Sequence, residues 1–170
     1  MTDEPITIPP LPLHGGCQCG AVRYRIEEAP LTFYLCHCTN CQRQSSSIAG
    51  ASLLIRRQAL ALQSEPAILR WKADSGAEKS GGFCPSCGVR LFHGRLDGGP
   101  DDRITIKAGT LDDTSWLRPV GHIWVSSAIG GLDFRADDLV YQGQPPDYEE
   151  LKARWSRRLS PYSAGVDPET

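Results

Sequence analysis

The chain has 170 residues, 40% of them apolar and 22% charged, and its 18 Lys and Arg against 20 Asp and Glu give a net charge of −2. That length suits one domain with a real core, and that composition excludes a wholly disordered chain, a collagen and a coiled coil. The mildly acidic balance gives no dominant nucleic-acid footprint and nothing that favours a membrane surface, and no apolar run approaches the roughly 18 residues of a membrane helix.

The N-terminus, Met1 to Pro5, is acidic and lacks the positive start and apolar stretch of a secretory signal, so a cytoplasmic protein is expected. Residues 1–13 hold Pro5, Pro9, Pro10 and Pro12 and are read as an extended arm. Ala21–Ile26 alternates, with Val22, Tyr24 and Ile26 on one face and Arg23 and Arg25 on the other, which predicts a half-buried strand. Leu31–Leu35, Ala51–Ile55, Ile68–Lys72 and Val89–Phe92 are further strand candidates. Arg103–Lys107 alternates again, with Ile104 and Ile106 expected inward, and Ile123–Val125 is an apolar run expected to be a strand. Near the end Asp147 and Glu150 have capping-box spacing, and Tyr148, Leu151, Trp155 and Leu159 form a helical stripe that Pro161 ends. The expectation is a mostly β fold with a short C-terminal helix: a single domain over 14–159, and a loose tail over 160–170.

Seven cysteines, an odd number, fall in three clusters: Cys17-Gln-Cys19, Cys36-His-Cys38-Thr-Asn-Cys41 and Cys84-Pro-Ser-Cys87. Disulfides cannot use all seven, and a reducing compartment keeps them as thiols. A structural zinc takes four thiolate or imidazole ligands, best supplied by two short chelating turns. Gly20 and Gly88 each follow the second cysteine of a pair and allow the positive φ of a tight knuckle. Cys17, Cys19, Cys84 and Cys87 therefore form a natural four-thiolate site that would staple the fold. Cys36, Cys38 and Cys41 remain as three ligands from one segment, which leaves a fourth position open, the mark of a catalytic zinc. Spacing alone permits other pairings, and a histidine (His14, His37, His93 or His122) can close the second site. An iron–sulfur cluster wants four cysteines, and a thioredoxin-like site wants a βαβ setting that the pattern lacks.

In these segments the chain resembles the glutathione-dependent formaldehyde-activating enzymes, a family that includes centromere-protein-V-like proteins. The matching pieces are Gly15–Tyr24, Cys36–Arg43 and Phe83–Gly88, joined by Ala108–Asp112 and Pro119–Trp124. The resemblance covers roughly residues 14–126. It implies a β-tent fold with two zinc ions per chain, structural at Cys17, Cys19, Cys84 and Cys87 and active at Cys36, Cys38 and Cys41. It also implies condensation of glutathione with formaldehyde, a carbon–sulfur lyase step, and for some members glutathione binding without turnover. The chain departs from the family pattern over Gln44–Ile48 and Val125–Gly131, segments expected to reshape the pocket beside the open zinc.

The residues supply an open zinc site, and the chemistry that the resemblance implies there is a thiol taken up at the open position, or reacting beside it with a zinc-bound water as base, and attacking a small carbonyl. A zinc with three thiolates already carries net charge −1, so nearby cations should stabilise the site. Arg43, just past the middle cluster, is the candidate for that charge or for holding a substrate carboxylate bidentately. His37 lies between two ligands and is a candidate catalytic or hydrogen-bonded structural residue. His122 and Trp124 on one strand face are candidates for the pocket wall. The Arg23 and Arg25 face and the acidic turn Leu96–Asp102 read as solvated surface. The competing functions are a thiol-binding module without chemistry and a zinc-stapled interaction domain. The oligomeric state is not legible.

Overall fold

A computed structural model describes residues 5–72, 76, 78–99 and 102–160. The expected mostly β fold is what the chain adopts. Two sheets carry the structure. The smaller has three strands in the order β1 (Leu13–Gly16), β2 (Arg23–Ile26), β5 (Leu60–Leu62), all antiparallel. The larger has eight, in the order β11 (Leu139–Val140), β10 (Gly121–Ile123), β3 (Thr32–Cys36), β4 (Gly50–Arg56), β9 (Arg103–Lys107), β8 (Arg90–His93), β7 (Glu78–Phe83), β6 (Ala67–Lys72). Its pairs are antiparallel except for β10 with β3 and with β11, which are parallel.

β2 follows its alternation: Val22, Tyr24 and Ile26 are buried while Arg23 and Arg25 stay half-exposed. β9 does not. Ile104 and Ile106 are buried as expected, but Thr105 and Lys107 on the opposite face are buried too. β9 sits between β4 and β8 inside the large sheet, so its backbone is paired along both edges. The apolar run at Ile123–Val125 is a strand only as far as Ile123. Trp124 turns into the left-handed region at φ 59°, and Val125–Ser127 forms one turn of 3-10 helix. His122 and Trp124 therefore do not share a strand face.

The C-terminal helix α2 spans Glu149–Arg158 and packs against β3. Its buried residues Leu151 and Trp155 come from the expected stripe. The capping box is not formed: Tyr148 is the N-cap residue, the Asp147 carboxylate accepts from the Glu149 amide at 2.8 Å, and Glu150 accepts from the Tyr141 hydroxyl instead. Trp155 Nε1 donates to the Pro30 carbonyl at 3.1 Å, and Thr32 Oγ1 donates to the Leu151 carbonyl at 3.1 Å.

A second helix, α1, spans Thr39–Ser45. It carries no apolar stripe, and only Cys41 is buried. Towards the N-terminus, Ile6 and Ile8 are buried, and Ile6 exchanges backbone hydrogen bonds with Arg158 and Ser160 at 2.7 and 2.8 Å. The tail expected after residue 159 lies, from residue 161 on, outside the described residues. Among the described residues no helix is long and apolar enough to cross a membrane.

Candidate functional site

The first and third cysteine clusters meet. Cys17 follows β1 directly and Cys84 follows β7 directly, so two strand ends deliver the knuckles. The knuckles share one construction. The Cys17 amide donates to the Val22 carbonyl and the Gly20 amide to the Cys17 carbonyl, while the Cys84 amide donates to Val89 and the Gly88 amide to Cys84, all at 2.9–3.1 Å. Gly20 and Gly88 have φ of 80° and 75°, the conformation that side chains disfavour.

The sulfurs of Cys17, Cys19, Cys84 and Cys87 all lie within 4.8 Å of one another. Cys17 and Cys19 are 3.5 Å apart, and Cys19 and Cys84 3.7 Å. A tetrahedral zinc with Zn–S bonds of about 2.3 Å sets its sulfurs about 3.8 Å apart, so the four thiols fit such an ion. Burial opposes ionisation of Cys17, but the Val22 amide at 3.2 Å and the neighbouring thiols outweigh it and bring its pKa down to about 6.

The middle cluster is built differently. Cys36 ends β3, Cys38 is the N-cap of α1 and Cys41 lies within that helix. Here the N-cap is a thiol: Cys38 Sγ accepts from the Cys41 amide at 3.4 Å. The three sulfurs lie within 4.8 Å of one another, and no fourth His, Cys, Asp or Glu atom joins the group among the described residues. Gly50 of β4 passes so close that a side chain there would start 3.0 Å from Cys41 Cβ. Hydrogen bonds from Cys36 and Cys41 hold the Cys38 thiol far below its ordinary value, and hydrogen bonding to Cys38 pushes Cys36 up. A soft divalent metal such as zinc fits this donor set.

The histidines are placed away from both groups. His37 is buried between its two cysteine neighbours, and its Nε2 is 2.9 Å from His122 Nδ1. His122 Nε2 in turn lies 3.1 Å from Asp138 Oδ2, and Phe134 packs on both rings. A carboxylate oxygen only accepts, so His122 Nε2 donates to Asp138. Burial and the neighbouring His122 hold His37 below its ordinary pKa. The His37 carbonyl accepts from Gln42 Nε2 at 2.6 Å, and the same amide reaches the Ser127 carbonyl at 2.8 Å. The cysteine-bearing turn is therefore held from both ends. His14 is exposed on β1 and His93 lies on β8.

Arg43 lies exposed on α1. Trp124 is partly exposed, with its indole N–H donating to Gln144 at 3.2 Å. Arg23 of the basic face pairs with Asp112. The sequence reading missed Asp138, which lies in a loop with no motif around it, and Lys107, whose alternation pointed outward.

The pattern of clusters and flanking segments matches the family model described as glutathione-dependent formaldehyde-activating enzyme, over residues 12–127. The chain belongs to this family. A Rhodobacter sphaeroides protein of known crystal structure is similar at 16% identity, with 76% of this chain and 99% of that chain covered at a TM-score of 0.45. Among curated proteins none matches the chain. The family match takes in the first two clusters, the third cluster and the β10 segment that carries His122, and ends before Asp138.

Proposed function

We propose that the protein is a two-zinc enzyme of the carbon–sulfur lyase type that forms or breaks the adduct between a thiol, glutathione, and a small carbonyl such as formaldehyde. Family membership supports the substrates, and the three-thiol cluster with no fourth donor beside it carries the reading. Cys17, Cys19, Cys84 and Cys87 would hold a structural ion, and Cys36, Cys38 and Cys41 the active one, on a β-tent scaffold. A zinc ion bound at the middle cluster supplies positive charge that favours the thiolate form of a thiol held beside it.

The sulfur lone pair attacks the carbonyl carbon, the carbon–sulfur bond forms, the carbonyl π bond breaks and the oxygen takes up a proton. The reverse step releases thiol and aldehyde. The residues of this chain contribute placement. The His37–His122–Asp138 chain and the Gln42 amide fix the turn that presents Cys36 and Cys38. Seven thiols without a disulfide suit a cytoplasmic setting.

The test is exchange spectroscopy of carbon-13 formaldehyde with glutathione, because the adduct also forms without a catalyst. The wild-type protein is expected to speed interconversion by at least about tenfold, and Cys38→Ser to remain folded and lose that effect. Saturable glutathione binding with no acceleration would make the protein a binding module. No response to thiols at all would leave a zinc-stapled interaction domain.

A further inference from the structure

Lys107 carries an amine that no hydrogen-bond acceptor among the described residues meets, although its charge favours the thiolate of neighbouring Cys41. The residue is 7% exposed, and its Nζ is buried with no hydrogen-bond partner among the described residues. It stands at the end of β9 opposite Ser52 of β4. Lys107 Nζ and Cys41 Sγ both lie within 3.7 Å of the point where a side chain on Gly50 would begin. Burying an unpaired charge is costly, so such a group marks a place where an anion is meant to arrive.

Lys107 lines a cleft of about 450 Å³, a size that suits a small-molecule ligand. The cleft is bordered both by Cys87 of the four-thiol group and by Gln44–Ser47, where α1 ends. Arg90 lines it as well, its guanidinium stacked 5.1 Å over the Trp71 ring. The lining has two cations and no carboxylate, with the hydroxyl-bearing Ser45, Ser46, Ser47 and Thr110 alongside.

We propose that this cleft is an anion subsite in which Lys107, with Arg90 at the wall, holds a carboxylate of the thiol substrate. The assignment of the anion to a thiol rests on the function proposed above; the anion site itself does not. Thiols bearing a carboxylate are then preferred over neutral thiols of similar size.

Calorimetric titration of the zinc-loaded protein tests this with three probes. 3-Mercaptopropionate carries a thiol and a carboxylate, 2-mercaptoethanol a thiol alone, and S-methylglutathione carboxylates without a thiol. The expected result is that 3-mercaptopropionate binds at least about tenfold more tightly than 2-mercaptoethanol. S-Methylglutathione also binds, and Lys107→Met abolishes the preference without loss of zinc or a fall in melting temperature. Lys107→Met removes an unpaired buried charge at nearly constant volume, so the variant is expected to fold, and Lys107→Arg is expected to keep the preference. Equal binding of the two small thiols, or an unchanged preference in Lys107→Met, overturns the subsite while leaving the thiol reading standing. Lys107-dependent binding of S-methylglutathione with no thiol effect sustains the subsite and overturns the thiol reading. Loss of zinc from Lys107→Met with no change in S-methylglutathione affinity assigns the lysine to the cluster alone and overturns the proposal.

Discussion

Asp138 anchors a line of buried donors and acceptors that ends beside the middle cluster. Removing its carboxylate leaves the His122 Nε2–H without an acceptor in a buried position, a loss of about 1–3 kcal/mol. Asp138→Ala is therefore expected to lower the unfolding free energy read from urea titration by that amount. His93 supplies a pH dependence. Burial, then Lys107, Lys79 and Arg90, push its pKa down to about 3, with only a minor opposing effect of Cys38. Its folded value lies below the unfolded value of 6.5, so as pH falls through this window the unfolded chain takes up a proton that the folded chain refuses. Stability from this residue is whole above pH 6.5 and is expected to fall by about 1–2 kcal/mol on going to pH 5; denaturant titrations of wild type and His93→Gln at both pH values should show that the variant lacks this part of the loss. The spacing of the cysteines suggested a group of four and a group of three, because knuckle geometry is local, but the pairing of the first cluster with the third was settled only when the fold brought their thiols together. Lys107 was not legible, because alternation along a strand says which face a residue takes, not whether another part of the chain covers that face.

The elements divide along the same line. β2 and α2 announce themselves by period, since each packs one face against the core. α1 does not, because it is a cysteine-bearing turn set by the Cys38 cap and closed at Ser46, whose φ is 49°. β7 hides for another reason. Its sequence contains Gly81 and Gly82, which read as a break, yet Phe92 of β8 occupies the space a side chain at 82 would need, with ring atoms 2.4 Å from it. Gly82→Ala is expected to destabilise the protein by about 1–3 kcal/mol, read as a drop in melting temperature, with Phe92→Leu in the same chain recovering part of the loss. At α2, Trp155 is fully buried and hydrogen-bonded to Pro30. Trp155→Ala is expected to cost about 3–5 kcal/mol in denaturant titrations. The β10 strand ends a residue earlier than its apolar run because the left-handed turn at Trp124 is a tertiary matter: the Trp124 amide donates to the Gly143 carbonyl at 3.1 Å, a partner 19 residues away.

Across the whole molecule the four-thiol group joins the end of β1 in the small sheet to the end of β7 in the large one. A metal there links two sheets that are remote in sequence, so its binding energy is folding energy. The middle cluster links only the end of β3 with α1, so a metal there would add little to the fold. Cys84→Ser and Cys38→Ser should therefore diverge: the first unfolds, the second melts near the wild-type temperature. The spacing of the clusters raised this division of labour as an expectation. The pairing of the sheets, and the cleft that Lys107 lines, came only from the fold. The most direct test of the central claim is the zinc content of protein purified without chelator. Two ions per chain in the wild type, one for each thiol group, is the predicted result. One ion, or none, would contradict it.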